Sequence, residues 1–380
     1  MTGQADVVIL GGGFMGAATA FFLRQRGRSV ILLDADRIGR QASGTNFGNV
    51  RRQGRPHNQL PLANRSRAIW GRLPALVGED CEFVARGHLR VCFNEAMAAE
   101  MEDYARLARE HELDLTLLSG AATRERFAFL GQKVVAGSLA PVDGHANPRL
   151  AAPAFGRAAA RAGAEVHENA KAVAVQKTGE DFEVTVEDGR RFRAPVLLVT
   201  AGAWAAPFAA GFGEAVPYQV KGPQMSVTEP APYCIAPSVG VATKIPDEVV
   251  YFRQVTRGNI VIGGPRHGPA SAETRRATVL AENTLQQLAV TREVLPLLER
   301  LRIIRVWSGV ECYLPDSQPV MGPSERVPGL FYAFGFSGSG FQLGPGVGDV
   351  MAELIDTGRT STPIEAFSIK RFSNVAASPG

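Results

Sequence analysis

Residues 6–34 read DVVILGGGFMGAATAFFLRQRGRSVILLD. A short apolar run leads into a turn that contains Gly11, Gly13 and Gly16, an Ala-rich segment follows, and a second apolar run ends at Asp34. Strand, glycine turn, helix, strand and acid follow each other in the order of a dinucleotide-binding βαβ unit. The stretch therefore predicts an α/β fold with a nucleotide site near the amino terminus.

Each glycine of this turn has its own mechanical role. Gly11 permits the tight turn, Gly13 lets the backbone approach a pyrophosphate, and Gly16 lets the helix lie close to the strand. The helix start offers N–H groups and a partial positive charge to the phosphates, and Asp34 accepts hydrogen bonds from a ribose. The candidate cofactor contacts here are Gly11, Gly13, Phe14, Met15, Gly16, Asp34 and Ala35. This unit alone leaves NAD and FAD open.

Composition narrows the class of protein. The 380 residues suffice for two domains, and a formal charge of +4 without a long Lys/Arg run argues against nucleic-acid binding. Four scattered cysteines predict reduced thiols, and no His, Cys or carboxylate cluster has metal-ligand spacing. The early glycine turn leaves no room for a signal peptide and no apolar run is long enough to span a membrane. We expect a cytoplasmic protein, with peripheral membrane contact open.

A polar, glycine-rich loop covers residues 37–53, directly after the acidic strand end. Such a loop can wrap the remainder of a long dinucleotide, although an ordinary surface loop explains the pattern equally well. The candidate cofactor contacts in it are Ser43, Gly44, Asn46, Phe47 and Gly48.

Further along, the pattern changes from helices to alternating strands. Residues 182–186 and 190–192 flank Asp188-Gly189, a strong hairpin signal. Residues 249–253 and 259–262 look like strands of a second domain, and 274–301 reads as helical.

The carboxy-terminal segment carries a second glycine-rich loop. Residues 330–334 predict a strand, 335–344 a loop, and 345–355 a helix whose first turn tolerates Pro345. This helix start is the candidate positive field for a flat ring. The candidate contacts are Gly338, Ser339, Gly340, Phe341 and Gln342.

With these motifs in order, the chain resembles the D-amino-acid oxidase superfamily of FAD-dependent amine oxidoreductases, which includes glycine oxidase, sarcosine oxidase and D-amino-acid dehydrogenase. The terminal glycine loop favours FAD over NAD. The resemblance implies a Rossmann-like FAD-binding domain of glutathione-reductase type, interleaved with an antiparallel-sheet substrate domain. Further FAD contacts that we expect are Val173, Ala201, Gly202, Trp204 and Gly309. The expected boundaries are 1–82, 139–215 and 307–370 for the FAD-binding domain, 83–138 and 216–306 for the substrate domain, and 371–380 for a tail.

Within the superfamily, residues 50–55 and 341–345 look most like the opine oxidase and hydrogen-cyanide-synthase flavin subunits. Two departures stand out. Ser339 occupies a position where many members have His, and Glu311 one where glycine oxidase-like members have a carboxylate-binding Arg. Cys312 lies too close to Pro315 to match the cysteine that tethers flavin in sarcosine oxidase, so we expect non-covalent FAD.

The resemblance implies hydride transfer from the carbon beside an amine to flavin N5, giving an imine that hydrolyses. The candidate substrate residues are Arg51, Arg52, Tyr251, Arg253, Trp307 and Glu311. Tyr251 and Arg253 fall on one face of a strand, and Arg suits a planar carboxylate. Glu311 is either the partner of a cationic substrate group or part of a structural salt bridge.

Three functions remain open from sequence. The first is oxidation of an amino acid, N-substituted amino acid, imino acid or opine, with oxygen, a quinone or a partner subunit as electron acceptor. The second is an FAD-binding subunit of a multi-chain redox complex without catalysis of its own, and the third is an NAD-linked dehydrogenase. Homo- or hetero-oligomers are compatible with each.

Overall fold

The computed structural model of the chain describes residues 2–373. Its strands are β1 Thr2–Gln4, β2 Val7–Leu10, β3 Val30–Leu33, β4 Asn49–Val50, β5 His88–Cys92, β6 Thr116–Ser119, β7 Ala136–Ala140, β8 Gly144–His145, β9 Glu165–His167, β10 Ala172–Thr178, β11 Asp181–Val186, β12 Arg191–Ala194, β13 Val196–Val199, β14 Gln219–Pro230, β15 Ser238–Val241, β16 Tyr251–Gln254, β17 Asn259–Ser271, β18 Arg276–Ala277, β19 Ile303–Ser308, β20 Glu311–Tyr313, β21 Val320–Pro323 and β22 Leu330–Phe334.

The α-helices are α1 Phe14–Gln25, α2 Ala42–Thr45, α3 Leu60–Trp70, α4 Leu73–Val77, α5 Glu95–Arg109, α6 Gly120–Arg126, α7 Pro148–Arg161, α8 Ala205–Gly211, α9 Ala281–Val294 and α10 Gly340–Thr357. Short 3₁₀ turns cover His57–Gln59, Gly202–Trp204, Pro246–Glu248, Pro296–Arg300, Glu365–Phe367 and Ile369–Phe372.

A six-stranded sheet contains the predicted βαβ unit. Its order is β21-β22-β13-β2-β3-β9, and every neighbouring pair is parallel except β21 and β22. Strands β2 and β3 are buried along their whole length, as their unbroken apolar sequences require when both sheet faces are covered. The carboxyl ends of β2, β13 and β22 share one edge of the sheet, so the loops that follow them meet there.

A larger sheet of ten strands carries the second half of the fold. Its main path runs β19-β14-β17-β16-β15-β5-β7-β6, with β18 paired to β17 and β20 paired to β14. Its pairs are antiparallel except for β15 with β5. The predicted α/β class with an antiparallel second sheet is therefore confirmed.

Two smaller sheets complete the architecture. The predicted hairpin at Asp188-Gly189 is confirmed: it joins β11 to β12 within the four-stranded sheet β1-β12-β11-β10. Gly189 has a φ of 86°, a conformation that glycine adopts without strain. Strands β4 and β8 form the remaining two-stranded pair.

The hydrophobic core is divided by the six-stranded sheet. On one face β2 and β3 pack with helices α1, α3, α7 and α10, and on the other with the four-stranded sheet and α8. Helices α1 and α10 lie close together, since a Cβ added to Gly344 would lie 2.6 Å from the Phe14 ring and one added to Gly348 would overlap Ala18. A separate hydrophobic cluster packs against the ten-stranded sheet.

Two sequence-based element predictions were wrong. Residues 274–301 are not one helix: β18 lies near the start, and α9 begins only at Ala281. Helix α10 starts at Gly340, five residues before the predicted Pro345, which therefore lies inside the helix. The domain boundaries stay a prediction; β19 runs across the expected boundary between residues 306 and 307.

Candidate functional site

One elongated cavity of about 520 Å³ lies at the edge where the loops after β2, β13 and β22 meet. At one end it is lined by the turn after β2 and by Asp34, and at the other by Arg51, Tyr251 and Glu311. The predicted cofactor contacts that line it are Gly11, Gly13, Phe14, Met15, Asp34, Ala35, Ser43, Asn46, Phe47, Gly48, Ala201, Gly202, Trp204, Gly338, Ser339, Gly340, Phe341 and Gln342. Segments far apart in sequence are thus brought to one cavity.

The three glycines of the first turn differ in what surrounds them. Gly11 has a φ of 105° and an added Cβ would lie 2.7 Å from the Thr200 carbonyl oxygen, so the turn itself requires glycine. A Cβ on Gly16 would overlap the Gly11 carbonyl, which keeps α1 close to β2. Gly13 has an ordinary φ of −65° and meets only the Ser43 hydroxyl, at 3.1 Å. The turn and packing roles predicted for Gly11 and Gly16 are confirmed. Of the three glycines, only Gly13 has open space beside it, where an added Cβ would meet no backbone atom.

Polar groups around the start of α1 are fixed by short hydrogen bonds. The Asp34 carboxylate accepts from the N–H of Gly12 at 2.6 Å and from that of Asp36 at 2.7 Å. Burial raises the pKa of Asp34, and these two N–H donors oppose the rise. The Phe14 N–H donates to the Ser43 hydroxyl at 2.8 Å, while the N–H groups of Gly13 and Met15 have no acceptor among residues 2–373. The free N–H groups at the start of α1 can therefore bind an anion, and the Asp34 carboxylate can accept a hydrogen bond from a hydroxyl group.

The second helix end at the cavity is that of α10. Because α10 begins at Gly340, the N–H groups of Gly340, Phe341 and Gln342 form its first turn. They donate to no acceptor in the described part of the chain. The positive end of the helix dipole consequently lies at the cavity wall itself, five residues nearer than Pro345.

Helix α3 supplies hydrogen bonds to the backbone of α10 beside Pro345. Proline cannot donate to the carbonyl four residues earlier, here that of Phe341. The Ser66 hydroxyl of α3 donates to the Gln342 carbonyl at 2.5 Å and accepts from the Gly346 N–H at 3.1 Å. The Trp70 indole donates to the same Gln342 carbonyl at 2.9 Å. Helix α3 thereby fixes the first turn of α10.

Replacing Ser66 with Ala should destabilise the protein, because the buried N–H of Gly346 and the Gln342 carbonyl lose a partner. We expect the free energy of unfolding to fall by about 1–3 kcal/mol. Urea denaturation measures this, with the exposed Ser373→Ala as control. A loss no larger than that of the control would contradict this account of the helix start.

Arg51, Tyr251 and Glu311 lie together at the other end of the cavity. Burial raises the pKa of Tyr251, the charge of Glu311 raises it further, and Arg51 lowers it, so this ring lies within the field of both charges. The Tyr251 hydroxyl donates to the Gly264 carbonyl at 3.4 Å, and its ring packs edge-on against Phe47 at 4.8 Å. Groups of opposite charge therefore act on one aromatic residue in the cavity wall.

Glu311 anchors a chain of hydrogen bonds. Its Oε1 accepts from the Gly338 N–H at 2.9 Å and its Oε2 lies 3.2 Å from the Tyr313 hydroxyl, which is 3.2 Å from His267 Nε2. Burial raises the pKa of Glu311, although the Gly338 and Tyr313 bonds lower it. No salt bridge pairs Glu311 with a cation among residues 2–373, so its sequence-based alternative as a structural ion pair is not realised.

The structure adds cavity residues that the sequence did not single out. Arg55 lines the cavity, donates from Nη2 to the Ser339 carbonyl at 3.0 Å, and burial lowers its pKa to about 9. Tyr313 also lines it. Alternation along β20 places Tyr313 on the same face as Glu311, a signal that sequence reasoning could have used. His267, which carries no sequence motif, lies beside Tyr313.

Three candidate substrate residues lie outside the cavity lining. Arg253 shares a strand face with Tyr251, but its Nε donates to the Phe47 carbonyl at 2.8 Å and its guanidinium lies over the Phe47 ring at 5.4 Å. Phe47 therefore separates Arg253 from the cavity. Arg52 forms a salt bridge with buried Asp143 at 2.9 Å. Trp307 donates from its indole to the Thr45 carbonyl at 2.8 Å. All three hold the loop of residues 37–53 in place.

Four candidate cofactor contacts also lie outside the lining. Gly16 and Gly44 face the backbone carbonyls of Gly11 and Gly39, and Gly309 faces the Thr45 side chain. Val173 is 54% exposed on a small-sheet strand, whereas Ala172 beside it lines the cavity. The three glycines allow close packing behind the cavity, and on β10 it is Ala172 rather than Val173 that reaches the cavity wall.

The geometry fits FAD. The free N–H groups at the start of α1 suit a diphosphate, Asp34 suits a ribose, and the start of α10 suits a flat ring. One cavity is continuous between these groups. An added Cβ at Gly13 would project into this space without meeting backbone. A long dinucleotide would contact both ends.

Other features of the described residues bear on the remaining predictions. All four cysteines are free, with Cys234 exposed and the others buried. Within residues 2–373, no helix has the length and apolar character needed to cross a bilayer. In the same range, no three His, Cys, Asp or Glu side chains are placed to hold a metal ion.

Comparison with known proteins gives a family match over most of the chain. The model of the family described as "DAO: FAD dependent oxidoreductase" matches residues 6–354. One subunit of the opine oxidase of Rhizobium meliloti is 27% identical, over 97% of this chain and 98% of that protein. Glycine oxidase of Geobacillus kaustophilus is 27% identical, over 98% of each.

Solved structures agree with the sequence relatives. The crystal structure of L-proline dehydrogenase from P. horikoshii superposes with a TM-score of 0.91 at 25% identity, covering 98% of each chain. The expected fold of FAD-dependent amino-acid oxidases and dehydrogenases is thereby confirmed.

Proposed function

Because the chain belongs to the DAO family of FAD-dependent oxidoreductases, we propose that it oxidises the CH–NH bond of an amino acid or N-substituted amino acid. The observation that carries the proposal is a pair of opposite charges in the cavity wall: Arg51 and Glu311 both line the cavity, and both act on the same residue, Tyr251. A substrate with a carboxylate and a protonated amine is complementary to this pair. The similar glycine and opine oxidases act on substrates of that class by their names.

We assign a role to each of the three residues. Arg51 lines the cavity and donates one bond to the Gln53 carbonyl at 2.6 Å, so most of its N–H groups are free for a carboxylate. Glu311 is fixed by Gly338 and Tyr313 and attracts the substrate amine. Tyr251 lines the same cavity and is held by Phe47 and the Gly264 carbonyl, so its ring limits the space for the substrate. Together they orient the substrate and exclude water.

The cofactor is FAD, which accepts a hydride from the carbon beside the amine when it is bound. The chain supplies the binding surface: the starts of α1 and α10, Asp34 and the loop around Ser43. Glu311 takes a proton from the ammonium of the substrate at Oε2 before the C–H bond breaks. The product imine is hydrolysed in water, and the Arg51 end releases the resulting keto or aldehyde acid.

Several finer assignments belong to the same proposal. The electron acceptor is oxygen, a quinone or a partner subunit; the full-length similarity to one subunit of an opine oxidase supports a partner. Free thiols, one of them exposed, support a cytoplasmic location. We also retain the division into interleaved FAD-binding and substrate domains. The separation of the six-stranded sheet from the ten-stranded sheet supports it, although β7, β19 and β20 do not follow the expected boundaries.

The test is anaerobic reduction of the bound flavin. Purified holoenzyme is mixed with glycine, sarcosine, proline and N-carboxyalkyl amino acids, and the yellow absorbance of the flavin is followed. Bleaching by at least one of them, with release of an aldehyde or keto acid, is expected. Yellow protein that none of these amines bleaches would favour the alternative, an FAD-binding subunit without catalysis of its own. Protein that binds NAD in place of FAD would contradict the cofactor assignment.

A further inference from the structure

We propose that Arg275 is an FAD-binding residue supplied by the ten-stranded sheet, and that the hairpin which carries it closes the cavity over the adenosine half of the cofactor. This clasp hairpin, residues 270–277, consists of the end of β17, strand β18 and the four residues between them. The inference rests on FAD as the cofactor and is independent of the substrate.

The clasp hairpin connects the two large sheets. At its base Ala270 pairs with Ala277 and Ser271 with Arg276, so it extends the ten-stranded sheet. Ala270 and Ala277 are partly buried, and they pack against the hydrophobic cluster between the six-stranded and four-stranded sheets. The base of the hairpin is therefore fixed on the nucleotide-binding half of the fold, although its strands belong to the other half.

The tip of the clasp hairpin contacts two segments of the cavity wall. The indole Nε1 of Trp204 donates to the Ala272 carbonyl at 2.8 Å. Arg275 Nη1 donates to the Ala35 carbonyl at 3.2 Å, and the Arg275 guanidinium lies over the Trp204 ring, 5.6 Å from its centre. Ala35, Trp204 and Arg275 all line the cavity. The tip thus joins the segment after β3 to the turn after β13.

The position of Asp34 shows which half of FAD lies at this tip. Asp34 directly precedes Ala35, and an acid at the end of the second strand of a βαβ unit binds the ribose of the adenosine half. Burial raises the pKa of Asp34, and the positive charge of Arg275 is one of the influences that lower it. Arg275 therefore acts at the ribose end of the cavity, whereas the flavin ring is assigned to the start of α10.

Arg275 retains N–H donors for a ligand. Within residues 2–373 it donates one hydrogen bond, to Ala35, and forms no salt bridge. A guanidinium has five N–H donors and a flat face that stacks on aromatic rings, so it suits adenine and the ribose oxygens. Its backbone φ of 56° is uncommon for a residue with a side chain. Contact with a ligand therefore explains this arginine better than the needs of the turn do.

The test measures how tightly the full-length protein holds FAD when the guanidinium is removed. Dissociation constants and dissociation rates of FAD are determined by flavin fluorescence for the wild type and for Arg275→Gln. We expect the Kd to rise by about tenfold, because a hydrogen bond from a charged donor and a stacking contact are lost. Most of the change should appear as faster dissociation, since the clasp hairpin closes over FAD that is already bound.

Arg276→Gln is the matched control, because it removes the same charge from the next residue, which is exposed and lies outside the cavity lining. The flavin absorbance spectrum and the thermal unfolding of the apoprotein should be alike in the two variants. An FAD affinity of Arg275→Gln equal to that of the control would overturn the proposal.

Two other results would also overturn it. A loss of apoprotein stability as large as the loss of FAD binding free energy would mean that Arg275 only supports the fold. A changed flavin spectrum would place Arg275 beside the ring instead of the adenosine half. Since none of these measurements uses an amine, they are independent of amine oxidation, which flavin bleaching tests separately.

Discussion

Glu311→Gln is expected to lower kcat/KM for an amine substrate by about 10²-fold or more, because removing one member of a buried charge pair costs several kcal/mol. The substitution keeps the shape of the side chain. A glutamine oxygen can still accept from the Gly338 N–H, and its amide can donate to the Tyr313 hydroxyl. FAD binding and folding should therefore persist while attraction of the ammonium is lost.

The pH profile separates this role from a structural one. Burial raises the pKa of Glu311, so its carboxylate forms at a higher pH than that of an ordinary glutamate. Because the carboxylate is the form that attracts ammonium, kcat/KM should rise with pH through this raised pKa. In Glu311→Gln that acidic limb should vanish, whatever the remaining rate.

The matched control is Glu282→Gln, an exposed glutamate at the start of α9. Steady-state kinetics over pH and the flavin spectrum are measured for both variants. An acidic limb that survives in Glu311→Gln, or a kcat/KM equal to that of the control, would remove Glu311 from the substrate site.

Local patterns in the sequence were sufficient for the FAD end of the site. Gly11, Gly16 and Asp34 belong to one continuous strand–turn–helix–strand unit, so they could be placed from sequence alone, although Gly11 also faces the distant Thr200 carbonyl. The start of α10 could not. Proline normally marks a first helical turn, but here the Ser66 hydroxyl of another helix stabilises one more turn before Pro345.

The substrate end of the site is formed by contacts between distant segments, which local sequence patterns do not reveal. Alternation correctly placed Tyr251 and Arg253 on one strand face, yet Phe47 from the loop of residues 37–53 covers Arg253. Arg55 carries no motif of its own. Its place in the cavity wall, against the Ser339 carbonyl at the start of α10, follows only from the fold.

Gly13→Ala is expected to weaken FAD binding by about 10²-fold, since its methyl group would occupy the space through which the backbone approaches the diphosphate. The chain itself tolerates the change. Gly13 has a φ of −65°, which alanine adopts readily, and the added carbon meets only the rotatable Ser43 hydroxyl at 3.1 Å. The same substitution at Gly11 or Gly16 would instead strike backbone and disturb folding.

This difference makes Gly13 a test of ligand contact rather than of the fold. FAD dissociation constants are measured by flavin fluorescence on reconstituted apoprotein, and thermal unfolding of the apoprotein is followed in parallel. Gly211→Ala is the control, because nothing lies within 4 Å of its added carbon. Apoprotein stability should match the control while FAD affinity falls. Unchanged FAD affinity in Gly13→Ala would mean that the diphosphate does not pass the start of α1, and the two helix ends would then not share one cofactor.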